Sequence, residues 1–183
     1  MTETSNKAKI AHNLGLATWF GGALLGQVAL NPTIGRISDK NERGRVLNEA
    51  WGRFNTATFT AIAAALRTWR LGGLKADAEL RAPCLSRLKN LILGGAAITG
   101  IASGVLGARI AKEAPTDAPE GGTPVEAGTQ PAPETPEEAA QSQRLIALTG
   151  PSALSLLAGV IAVSAVIENS AVKPRGILSR LLT

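Results

Sequence analysis

Residues 91–108 read LILGGAAITGIASGVLGA, eighteen positions without one ionisable side chain. A helix of that length crosses the hydrocarbon core of a bilayer. The wider run Leu88–Ile110 carries Ala96, Gly100, Gly104 and Ala108 at intervals of four. That spacing strips one helix face of bulk and lets a neighbouring backbone approach. Three further runs share this character. Ile10–Leu30 holds the pair Gly22 and Gly26, and Pro32 just beyond it predicts a helix stop, because the residue before a proline is biased away from helical angles. Trp51–Trp69 is shorter, with Arg53, Arg67 and Arg70 around it; its two tryptophans stand about 27 Å apart on a helix. Leu145–Ile167 carries Pro151 near its start, where a missing backbone donor costs least.

Composition agrees with helices packed in lipid. Hydrophobic residues make up 45% of the chain but aromatics only 3%, with no tyrosine. Ala, Gly and Leu carry the apolar content, where a soluble core would draw on large aromatic rings. Mean hydropathy is only +0.13, because polar residues are segregated into the connections. The expectation is an all-α, four-helix transmembrane bundle in the inner (plasma) membrane of a bacterium. Two alternatives stay open. The first run follows Lys7 and Lys9 as a secretory signal would, although His12, Asn13 and Gln27 interrupt it and no clean cleavage site follows. The second run also reads as an amphipathic helix lying on the membrane surface.

The connections differ in kind. Residues 39–54 read as an amphipathic helix that either lies on the membrane or runs straight into the second apolar run, with Asp39 as its cap and Glu42 closing a capping box. Val46, Leu47, Ala50, Trp51 and Phe54 share one face of it. Three helices thus fall within residues 1–112. Residues 113–143 contain six prolines, seven acidic residues and no lysine or arginine, a composition expected to stay disordered. Residues 144–183 supply the fourth helix and the basic tail KPRGILSRLLT, suited to anionic headgroups. With four spans, the side bearing both termini carries 11 lysines and arginines against 8 on the other. The positive-inside rule then places the termini in the cytoplasm and the acidic linker outside.

Little in the chain points to chemistry. One cysteine, Cys84, excludes an intrachain disulfide and a multi-cysteine metal site. The net charge of +5 suits cytoplasmic loops, and no basic patch interleaved with aromatics indicates nucleic acid. No nucleophile–base constellation and no phosphate-binding loop is present, so no enzyme activity, cofactor or metal site is expected. His12, the single histidine, reads as an interfacial or packing residue; as a haem or metal ligand it would need a second copy of the chain. Gln27, Asn31, Glu49 and Arg53 fall at one end of the first two spans and read as a polar vestibule, with Glu49 and Arg53 spaced to pair on one helical face.

The opening HNLGLATWFGGALLG and the later ERGRVLNEAWGRFN resemble segments of small uncharacterised bacterial multi-span proteins. More loosely, the histidine-led W-x-G-G first helix resembles copper-resistance D-type membrane domains. The likeness covers about 30 residues and implies a four-helix membrane architecture. It implies no copper chemistry here, since the chain has one histidine, one cysteine and no methionine beyond the first residue. The expected role is structural or interactive: an accessory subunit or scaffold whose small-residue faces bind a second copy or another membrane protein. The alternative is a transporter of a small solute or ion through the polar vestibule.

Overall fold

The computed structural model describes residues 3–70, 82–113 and 122–171. The basic tail and the connection before Cys84 lie outside these. Among the described residues there are four long helices: α1 (Glu3–Leu25), α3 (Lys40–Arg70), α4 (Pro83–Lys112) and α5 (Glu137–Ala171). A π-helical turn (Gly26–Leu30) and the short α2 (Asn31–Ile34) extend α1. A small antiparallel hairpin, β1 (Val125–Ala127) and β2 (Gln130–Pro131), precedes α5. Helices α1 and α3 pack closely as one helical hairpin, and α4 and α5 as another; contact between the two hairpins is sparser.

Of the four, α4 and residues Glu137–Asn169 of α5 are long and apolar enough to cross a membrane, and only 22% of the apolar window of each is buried. Leu91, Ile98 and Leu148 stand 76%, 71% and 69% exposed on their outer faces. The central core joins Leu16 and Trp19 of α1, Ile62 of α3, Leu93, Ala96 and Ala97 of α4, and Leu157 and Val160 of α5. A second cluster lies beneath the small hairpin, where fully buried Val125 packs against Ile34 and Leu47.

Several expectations need correction. Pro32 does not end the first helix. Asn31 keeps helical angles of φ −56° and ψ −45°, and its N–H donates to the Gly26 carbonyl across the widened turn. Pro32 would clash with the preceding turn of an ordinary helix, and the π turn immediately before it relieves that conflict. Of the two courses open to it, the 39–54 segment takes the one that runs straight on into the second apolar run, and both belong to one helix, α3 (Lys40–Arg70). Asp39 Oδ1 caps it, accepting from the N–H groups of Asn41 (2.7 Å) and Glu42 (3.0 Å). The Glu42 carboxylate does not close the box; it pairs with Arg45 at 2.5 Å and 2.8 Å. Helix α5 starts at Glu137, so Pro151 lies in its interior and not near its start.

The largest correction concerns the expected disordered linker. Residues 122–143 are ordered: they form the hairpin and the first two turns of α5. Three kinds of contact offset the ordering entropy. Thr123, Val125, Ala132, Ala139 and Ala140 are buried. Thr123 Oγ1 donates to the Ile110 carbonyl at 2.7 Å, satisfying the C-terminal end of α4. The acidic side chains meet the basic start of α3: Glu126 pairs with Lys40 at 2.6 Å and Arg43 at 3.2 Å, and Glu134 pairs with Lys40 at 3.3 Å. Arg43 also donates to the carbonyls of Ile37 (2.5 Å) and Glu126 (3.0 Å).

These pairs make the hairpin sensitive to pH at the extremes. The Lys40 ammonium, then burial acting against it, sets the Glu126 carboxyl, with the net effect below its ordinary 4.5. Hydrogen bonding to Glu126 holds Lys40 above 10.5. The Glu126 contribution is therefore full above its ordinary value and lost as pH falls through the depressed one; that of Lys40 is full below 10.5 and lost at higher pH. Hydrogen-exchange protection of residues 125–132 should be level through the neutral range and fall in acid, as pH drops through the depressed Glu126 value below 4.5. In a Glu126→Gln variant it should start lower and lose most of that acid dependence.

Candidate functional site

Where the two helical hairpins meet, a cavity of about 370 Å³ opens beneath the small hairpin. All four long helices reach it. The first helix brings Trp19, Ala23, Gln27 and Asn31; α3 brings Trp51, Phe54, Asn55, Thr58 and Phe59. Helix α4 supplies Gly100, Ser103, Gly104 and Ala108, and α5 supplies Gln143, Gly150 and Ala153. Val125, Gly128 and Thr129 of the hairpin close one end.

Its walls follow from the fit of aromatic rings to glycines. A Cβ on Gly22 would fall on the Phe54 ring and one on Gly26 on the Trp51 ring. At Gly100 it would lie 2.7 Å from Trp19, and at Gly104 2.7 Å from Phe59. Trp51 and Phe54 themselves meet edge to face, with centroids 5.6 Å apart at 69°. The small-residue positions read as docking surfaces are thus filled by the chain's own side chains. Ala96 is completely buried in the core, while Ala108 borders the cavity.

Of the expected vestibule, the structure brings only half to this site. Gln27 and Asn31 line the cavity. Asn31 Oδ1 accepts from Trp51 Nε1–H at 3.3 Å, and its backbone carbonyl accepts from the Gly128 N–H at 3.2 Å. Asn31 therefore ties the π turn, α3 and the hairpin together. Gln27 lies against Gly150, where a Cβ would come 2.5 Å from its Nε2. Glu49 and Arg53 do pair, at 2.6 Å, but on the outer face of α3 with side chains 53% and 81% exposed. Four residues apart, they share a face that points away from the bundle.

The residues that sequence reasoning missed are Thr58 and Gln143. Thr58 is 7% and Gln143 1% exposed. The Thr58 hydroxyl and both amide atoms of Gln143 are buried without a hydrogen-bond partner. Helical hydroxyls elsewhere bond back to the carbonyl four residues earlier, as at Thr56 (3.2 Å), Thr60 (2.9 Å) and Ser164 (2.7 Å); Thr58 does not. Gln143 ends the segment 113–143, whose composition predicts disorder and gives a single amide no distinguishing signal.

Among the described residues that line the cavity there is no Asp, Glu, Lys, Arg or His. Its polar groups are amides and hydroxyls, which can bind and orient a solute but offer no base for proton abstraction. His12 is 3% exposed, in a packing position on the core side of α1 one turn before Leu16, and it is not among the described residues that line the cavity. Among the described residues, no group of three or more His, Cys, Asp or Glu is placed to hold a metal ion. Comparison of the chain with family models, with characterised proteins and with solved structures gives no match.

Proposed function

We propose that this chain is a four-span membrane protein that holds a small uncharged solute in the cavity between its two helical hairpins, as a binding or carrier protein without catalytic activity. The observation that carries this reading is the cavity itself: about 370 Å³, walled by aromatic rings, with convergent neutral polar groups and two of them unpartnered. Ligand sites are of this size and make-up. A membrane setting is supported by the exposed aliphatic side chains of α4 and α5, which a soluble monomer rarely gathers over so wide a surface. It is supported too by the low burial of both apolar windows, since the core helix of a soluble protein is mostly covered. The accessory-subunit reading loses ground because Gly22, Gly26, Gly100 and Gly104 are occupied internally.

Two measurements test the reading. Native mass spectrometry of the protein from mild detergent should show one bound small molecule, lost in Ala153→Leu, which fills the cavity from a buried wall position. A bare mass in the parent protein would overturn it. For the topology, the free and exposed Cys84 starts α4, and Glu134 lies beyond the other end of that helix. An impermeant maleimide applied to spheroplasts should label a Glu134→Cys, Cys84→Ser variant and spare the parent Cys84. Labelling of both from one side would mean that α4 does not cross.

A further inference from the structure

We infer that the cavity selects an uncharged molecule with a hydrogen-bond donor and acceptor side by side, of the carboxamide, lactam or urea class, carried on an aromatic or apolar body. This rests on the solute-binding reading above and specifies its ligand.

The inference begins at Gln143. Its side chain is 1% exposed, and Nε2 and Oε1 both lack a partner. Burying an amide without hydrogen bonds is costly, and native structures leave few such groups. A primary amide offers donor and acceptor in one plane. A second amide laid against it satisfies both atoms at once, where an ester or ketone satisfies only Nε2 and leaves Oε1 bare. An anion or cation finds no counter-charge among the described lining residues, and an unpaired charge in such a site is excluded far more strongly than a neutral dipole.

The rest of the wall agrees with this class. Thr58, also unpartnered, supplies a hydroxyl from α3 on the other helical hairpin. Trp19, Trp51 and Phe59 present ring surface to the body of the ligand. Selectivity of this kind comes from the groups that a wrong ligand leaves unpaired, more than from added attraction to the right one.

The test uses the full chain in lipid nanodiscs and two probes of matching shape, 2-naphthamide and methyl 2-naphthoate, measured by equilibrium dialysis with empty nanodiscs subtracted. The amide should bind at one per chain, about tenfold more tightly than the ester. Gln143→Leu should abolish that preference while the ester's affinity stays within about threefold. Thr58→Val, which keeps the shape of the side chain, should weaken the amide by a smaller factor and provides the readout where Gln143→Leu does not fold. Equal binding of amide and ester, or a preference that survives Gln143→Leu, keeps the solute-binding reading and overturns the ligand class. Binding of neither probe overturns both.

Discussion

Gly44→Ala will detach the small hairpin from the bundle. Gly44 lies in the second turn of α3, and a Cβ there would fall on the backbone carbonyl of Thr123, 2.8 Å from its carbon and 3.2 Å from that of Gly122. The approach is reciprocal, because a Cβ on Gly122 would meet the backbone of Gly44 and Arg45. Helix propensity opposes this prediction: Ala in place of Gly within a helix gains up to about 1 kcal/mol. Overpacking costs about 1–3 kcal/mol even where side chains can shift. Here the obstacle is main chain on both sides, which no rotamer change relieves, so the steric cost wins. Limited proteolysis should cut residues 122–136 in the variant well before the parent. Gly52→Ala on the same helix, where a Cβ meets nothing within 4 Å, should be neutral or stabilising. If both variants resist protease equally, the hairpin is not held by this contact.

The second large effect is expected at Gly100. A leucine there must displace Trp19, whose ring lies 2.7 Å from the Cβ position. Trp19 is 3% exposed and belongs to the central core with Leu93 and Leu157, so its ring can move only by breaking that packing and turning into the cavity it borders. Gly104→Leu meets Phe59 at the same 2.7 Å, but Phe59 is 42% exposed and can swing outwards. The cost at Gly100 should reach the upper end of about 1–3 kcal/mol or exceed it, and that at Gly104 should stay near the lower end. Thermal unfolding in one detergent orders the two. The reverse order would show that the Trp19 packing is not what fixes the core.

These two sites mark where the sequence was informative and where it was not. The runs Leu88–Ile110 and Leu145–Ile167 lie inside α4 and α5, long and apolar enough to cross a membrane, where a helix would satisfy the backbone internally. The periodic glycines were also legible as close-packing positions. Their partners were not, since a G-x-x-x-G pair says that there is room without saying what enters it. Four of the chain's six aromatic residues turn out to enter: Trp19, Trp51, Phe54 and Phe59. The linker misled for a related reason. Composition-based disorder assumes that a charged segment meets only water, whereas Glu126 and Glu134 meet Lys40 and Arg43 from far earlier in the chain. The four residues read as a polar vestibule are separated because Gln27 and Asn31 lie on the inner face of the first helix and Glu49 and Arg53 on the outer face of α3. Spacing along one helix shows that two residues share a face; it does not show which way that face is turned.

The π turn has a consequence for how this chain tolerates changes in length. Buried positions on the first helix fall at His12, Gly15, Leu16, Trp19 and Gly26, then at Asn31 and Ile34. The step from Gly26 to Asn31 is five residues, one more than a regular helix would take to return to the same side. Removing one residue from this turn would restore the ordinary repeat and leave Asn31 and Ile34 facing inwards, with Pro32 pressed against the turn before it. Removing one residue anywhere in residues 13–25 would instead rotate all that follows by about 100°. Asn31 would then swing off the indole of Trp51. The first helix is therefore rigid in its residue count everywhere except at one turn, and that turn is where it meets the cavity.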